Sequence, residues 1–222
     1  MPCLLYCVSL SATSPAPNLT GAAEQPVLTY ESGGLRVYWS EIATPDALAE
    51  GPSRKAAEAR YRQILRDIVS VVTPLSFPFP AVVESTDTIT ALLAEQHDTY
   101  IEALSRLADT VQYELTATWA EDEHADLAIP VSGREYERRH RAAEVRAAAI
   151  GSKLKTVTAG IVREWRSRQE RRNRIWYGLM AREDRERFMA ALRNAGPSEG
   201  VRLRLSGPWP PNEFVVAQPT EV

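Results

Sequence analysis

The chain has 222 residues, 44% of them hydrophobic and 25% charged, which is the composition of a globular protein and excludes disordered and fibrous classes. The formal charge of −3 is unevenly divided: residues 133–174 hold 13 Lys and Arg against 5 Glu, a net +8, and the remainder carries −11. A stretch that basic is either a surface for an acidic partner or nucleic acid, or the solvated face of a long helix.

The first strand reads Cys3 to Leu10, apolar on both faces. Its apolar core, Cys3 to Val8, is far short of the roughly 20 residues that cross a bilayer, so neither a signal peptide nor a membrane span is expected. Cys3 and Cys7 are the only thiols. On one face of a strand they lie about 13 Å apart, too far for a disulfide, and a reduced cytoplasmic protein is expected. A Ser/Pro/Asn/Gly-rich loop follows. Val27–Glu31 and Leu35–Ile42 then read as a hairpin joined through Ser32-Gly33-Gly34.

Tyr61, Ile64, Leu65, Ile68 and Val72 recur at helical spacing and predict an amphipathic helix that ends before Pro74. The alternating prolines of Pro74-Leu75-Ser76-Phe77-Pro78-Phe79-Pro80 predict an edge strand, because proline cannot donate to an inner ladder. A second helix is expected from Ser85 or Thr86, with one stripe through Ile89, Leu93, Tyr100, Leu104 and Leu107. These elements form a first α+β domain, residues 1–108.

Val111, Tyr113, Leu115, Ala117 and Trp119 alternate with polar residues, the pattern of a strand buried on one face. After an acidic loop, Ser132-Gly133-Arg134-Glu135 reads as a capping box. Tyr136, His140, Ala143, Ala147, Ile150, Leu154, Val157, Ile161 and Trp165 follow at nearly heptad spacing. That spacing predicts a helical extension over about 133–172, with Gly151 and Gly160 as points of weakness. Arg174 to Ala181 reads as a central strand, a short helix runs through Phe188 and Leu192 to a stop at Gly196-Pro197, and Val201–Leu205 is the last strand. Residues 109–222 thus form a second α+β domain, read as a reduced ferredoxin-like unit.

The last strand runs into Gly207-Pro208-Trp209-Pro210-Pro211-Asn212-Glu213-Phe214-Val215. Three prolines in four positions fix φ and remove three donors, so this stiff segment is expected to leave the sheet. It serves either as a latch that seals the edge of the C-terminal domain, anchored by Trp209 and Phe214, or as a partner-recognition element.

Residues for chemistry are not assembled. His97, His124 and His140 lack metal-ligand spacing, and no phosphate loop or nucleophile elbow is present. No catalytic, cofactor-binding or metal-binding residue is expected. Arg163, Arg166, Arg168, Arg171 and Arg172 surround Trp165, an arrangement suited to phosphates with occasional stacking. Trp165 falls on the apolar seam, however, and a nucleic-acid-binding module built on a basic helix 133–174 is kept as the alternative function.

The Gly207-Pro208-Trp209-Pro210-Pro211 segment with Phe214-Val215, placed directly after the last strand, resembles the gas vesicle accessory family of the GvpL/GvpF type. Leu5-Tyr6-Cys7-Val8, Ser132-Gly133-Arg134-Glu135-Tyr136 and the Trp176–Leu192 strand-helix pair extend the resemblance over nearly the whole chain. Asn212 stands where an aromatic is common in that family, and Phe77-Pro78-Phe79-Pro80 replaces a more basic, glycine-containing strand. The resemblance implies two α+β domains, the second a modified ferredoxin-like fold with a helical extension, and no catalytic activity or cofactor. It also implies a cytoplasmic, gas-vesicle-associated role in assembly, through contact with the small hydrophobic shell protein and other accessory proteins, without nucleic acid or membrane. The basic helix and the C-terminal clamp are the expected contact surfaces.

Overall fold

The computed structural model describes residues 1–12, 18–22, 24–43, 48, 51–119, 133–170, 173–196 and 201–215, with backbone alone for 51–52, 135–136 and 139–140. These residues group into two compact units: Met1–Val111 with the segment that begins at Pro208, and Gln112–Gly207. The chain passes from the first unit to the second after Val111 and returns after Gly207. The first unit is therefore discontinuous in sequence, and the C-terminal segment expected with the second domain belongs to it.

In the first unit, β1 (Cys3–Leu10), β2 (Leu28–Ser32), β3 (Leu35–Glu41) and β4 (Leu75–Val83) form a sheet in the order β2-β3-β1-β4 with antiparallel pairing throughout. The proline-rich β4 lies at an edge, where its missing donors leave no ladder bond unmade. β1 is interior, and Cys3 to Val8 are each at most 1% exposed. Its register slips between Leu5 and Cys7 against both neighbours. This bulge brings Cys7 into the same core cluster as Leu4 and Tyr6, so the expected common face of Cys3 and Cys7 is lost. Both thiols are free and buried, and burial pushes the Cys7 thiol well above its ordinary pKa.

The β2–β3 hairpin closes as expected through Gly33 and Gly34, whose φ values of 58° and 83° match the two positive-φ positions of a type I′ turn. α1 (Gly51–Val69) buries Tyr61, Ile64, Leu65 and Ile68 against the sheet. The Tyr61 hydroxyl donates to the Phe77 carbonyl at 2.6 Å, with the Tyr6 carbonyl 2.9 Å away. The single second helix expected from the stripe is two helices, α2 (Thr86–Glu95) and α3 (His97–Arg106), which meet at Gln96. Ile89, Leu93, Leu104 and Leu107 remain buried across the break. Immediately beyond the break, His97 Nε2 lies 2.8 Å from the Gly33 carbonyl and Nδ1 lies 2.8 Å from the Asp98 carboxylate.

In the second unit the succession is β5 (Thr110–Trp119), α4 (Gly133–Val157), β6 (Val162–Glu170), β7 (Asn173–Ala181), α5 (Arg185–Ala195) and β8 (Val201–Trp209), with sheet order β6-β7-β5-β8. β5 is interior, and even its polar Gln112 and Thr116 are 6% and 7% exposed, so the expected open polar face is largely covered. The Thr116 hydroxyl is satisfied by the Glu114 carboxylate at 3.0 Å. β7 is interior as expected, and Ile175 to Ala181 are buried. Ser132 and the Glu135 side chain, the two ends of the expected capping box, lie outside the described residues.

The expected helical extension to 172 is shorter. α4 ends at Val157, where the Thr158 hydroxyl donates to the Leu154 carbonyl at 2.7 Å and Gly160 takes a φ of 73°. The chain returns as β6, paired antiparallel with β7. Ile161 and Trp165 continue the helical spacing in sequence, but Ile161 lies in the turn after α4 and Trp165 on β6. Trp165 instead sits opposite Gly178 in the β6–β7 ladder.

Gly207, at a φ of 136°, is packed so that an added Cβ would come 2.8 Å from Tyr113 Cδ1 and 3.0 Å from the Gln112 carbonyl. Gly207→Ala is expected to destabilise the protein by about 1–3 kcal/mol in urea denaturation. Gly133→Ala, with nothing within 4 Å of the added carbon, is expected to leave stability unchanged or slightly raised. His97 faces two acceptors, so only the imidazolium donates to both. The Asp98 carboxylate first, and the Gly33 carbonyl second, raise its pKa above the ordinary 6.5. The stabilisation is present below about pH 6.5 and is lost as pH rises through the raised value. The Tm difference between the parent protein and His97→Gln is therefore expected to shrink from pH 6 to pH 9.

Candidate functional site

Among the described residues no group of three or more His, Cys, Asp or Glu side chains is placed to hold a metal ion. His97 is occupied by its two acceptors, and the His140 side chain and all of His124 lie outside the described residues. No helix among the described residues is long and apolar enough to cross a membrane. Three surface features stand out among the described residues.

The first is the proline-tryptophan segment. β8 continues through Gly207, Pro208 and Trp209, further than expected, because it is an edge strand and loses no inner bond to proline. Pro210 and Pro211 are buried, Asn212–Phe214 form one 3-10 turn, and Phe214 is fully buried. The partners of this segment lie in the first unit. Asn212 reads both backbone groups of Ser76 on β4: the Ser76 amide donates to Oδ1 at 2.9 Å and Nδ2 donates to the Ser76 carbonyl at 2.7 Å. Arg106 from α3 donates to the Phe214 carbonyl at 2.5 Å. The Arg66 guanidinium of α1 stands 5.1 Å over the Trp209 ring. These contacts are made with the N-terminal unit, whereas the sequence reading of a latch places it on the C-terminal domain. Asn212 supplies the bidentate bond to the β4 edge.

The second surface is the set of arginines expected on a basic helix. Arg163, Arg166 and Arg168 lie on strand β6, and Arg171 and Arg172 lie outside the described residues. Arg163 occupies the bulge between Val162 and Glu164 and is exposed. Arg166 donates to Glu164 at 2.7 Å, and Arg168 stacks 5.3 Å over the Tyr177 ring with Glu170 3.8 Å away. Two of these three cations are thus tied to neighbours along the sheet. The three described arginines lie on a strand and not on a helical face.

The third surface was missed by the sequence reading. α4, α5 and β8 enclose an open, mostly apolar cleft of about 330 Å³, walled by Ile150, Leu154, Met189, Leu192, Leu203 and Leu205. The available signal was the alternation of Val201, Leu203 and Leu205 with Arg202 and Arg204, which gives β8 one apolar face.

A profile of the family described as "Gas vesicle synthesis protein GvpL/GvpF" matches residues 2–216. The chain belongs to this family. Its fold is similar to the crystal structure of the gas vesicle protein GvpF from Microcystis aeruginosa, at a TM-score of 0.75 and 13% identity over 97% of this chain and 99% of that one. It is also similar to GvpF from Anabaena sp. PCC7120, at a TM-score of 0.72 and 16% identity over 98% of this chain and 97% of that one. No match is found among curated proteins. At such identities the structural likeness establishes the shared α+β fold, which two sheets and their helices preserve while most side chains differ.

Truncating the latch tests its role directly. Phe214→Ala empties a fully buried site and is expected to lose about 3–5 kcal/mol. Asn212→Ala removes two solvent-accessible bonds and is expected to lose about 1 kcal/mol. Both are read as shifts in the urea midpoint.

Proposed function

We propose that the protein is a non-enzymatic accessory or minor structural component of gas vesicle assembly, acting by binding the small hydrophobic shell protein and other gas vesicle proteins. The observation that carries this reading is the family match over residues 2–216, which takes in both units and the C-terminal latch. A role through surfaces rather than catalysis agrees with the described residues, whose notable features are an apolar cleft, a basic strand and a structural clamp. The working location is cytoplasmic, at the gas vesicle.

In this reading the chain has two domains, 1–108 and 109 onward, and the second lends its C-terminal segment back to the first. The succession β5-α4-β6-β7-α5-β8 with sheet order β6-β7-β5-β8 supports a modified ferredoxin-like second domain, with α4 as a long crossover helix. Arg163, Arg166 and Arg168 on β6, with Arg171 and Arg172, form one proposed partner surface. Gly207, Pro208, Trp209, Pro210, Pro211 and Phe214 are the proposed family signature, with a structural role.

The nucleic-acid alternative loses its basis in a continuous basic helix, since α4 stops at Val157 and Arg166 and Arg168 already have acidic or aromatic neighbours. A pull-down against the shell protein, run beside a DNA and RNA shift assay at graded salt, separates the two. The proposal predicts retention of the shell protein and no nucleic-acid shift at 150 mM salt. Nucleic-acid binding without shell-protein binding would overturn it.

A further inference from the structure

We propose that the cleft between α4, α5 and β8 receives an acidic amphipathic helix of a partner protein. The proposal concerns a surface and a partner chemistry, and it stands whether or not the shell protein is that partner.

The floor of the cleft follows from strand geometry. Val201, Leu203 and Leu205 fall on one face of β8 and are half-buried, while Arg202 and Arg204 point the other way and are exposed. At roughly 3.3 Å per residue this apolar row is about 13 Å long. A helix rises about 1.5 Å per residue, so a row of that length matches some nine residues, room for apolar side chains at i, i+4 and i+7. Leu154 on α4 and Leu192 on α5 supply the walls. An apolar groove flanked by helices is the setting in which helix-in-groove recognition occurs.

The rim decides the charge of the occupant. Lys153 on α4 and Arg193 on α5 line the cleft, one from each wall, and both are exposed. Neither side chain forms a hydrogen bond or ion pair with any described residue. Other arginines of the same unit do: Arg166 pairs with Glu164, Arg174 with Glu144 and Arg187 with Asp184. Two unpartnered cations on opposite walls of an apolar groove complement a helix whose apolar stripe is flanked on both sides by Glu or Asp. A strand added along the outer edge of β8 would leave the cleft itself unfilled, and an unflanked apolar helix would leave both cations without partners.

The test uses the full-length protein and three probes: a helical peptide with Leu at i, i+4 and i+7 flanked by Glu, the same peptide with Lys in place of Glu, and decanoate. Binding is followed by fluorescence anisotropy and mapped by amide chemical-shift changes. The Glu peptide is expected to bind about fivefold or more tighter than the Lys peptide, with shifts centred on Leu154, Leu192 and Leu203. The double variant Lys153→Glu/Arg193→Glu changes only exposed positions, keeps its circular dichroism and Tm, and is expected to reverse the preference. Equal binding of the two peptides, an unchanged preference in the double variant, shifts away from the cleft, or no peptide binding would each overturn the proposal. Decanoate filling the cleft where the Glu peptide does not would replace it with a site for a small amphiphile.

Discussion

The first unit buries a side chain that follows the whole second unit in sequence. Phe214 is fully buried and its backbone carbonyl accepts from Arg106, while Asn212 two residues earlier hydrogen-bonds both polar groups of Ser76. A bidentate amide on an edge strand gives the latch its register, the prolines before it limit the conformations it must surrender, and the phenyl ring supplies the apolar burial. Because these partners are separated from Phe214 by the entire second unit in sequence, the first unit is a high-contact-order structure. Its last contacts can form only after residues 112–207 have been synthesised.

Much of the local structure could be read from the residues. β1, the Gly33-Gly34 hairpin, α1, the proline-bearing edge of β4 and the interior β7 each follow from one dominant local constraint, such as burial on both faces, positive φ or a missing donor. The errors arose where two periodicities agree or where a distant partner decides. Ile161 and Trp165 continue the helical spacing of α4, yet the first lies in a turn and the second in β6, whose pairing with β7 decides the local structure. The stripe from Ile89 to Leu107 is continuous, yet the helix divides at Gln96 and the next residue, His97, caps the hairpin turn through Gly33. The bulge at Tyr6 reverses the faces of β1 without any glycine or proline to announce it.

The candidate surfaces were less legible than the fold. The proline-tryptophan segment signalled a latch, but stiffness and apolarity do not name the surface that receives them, and Ser76, Arg66 and Arg106 are ordinary residues in isolation. The arginines around Trp165 read as one helical face, but Arg163, Arg166 and Arg168 lie on β6, where Arg166 and Arg168 have their own neighbours. The cleft of the second unit depends on α4, α5 and β8 coming together, an arrangement with no short-range signature. What remains for function is a chain whose family match spans both units.

The central claim is that the C-terminal segment completes the N-terminal unit. Hydrogen exchange on a chain ending at Gly207 tests it most directly. The account predicts faster exchange in α1, α3 and β4, with protection in β7 and α5 retained. Unchanged protection in the first unit, or a loss confined to the second, would contradict it.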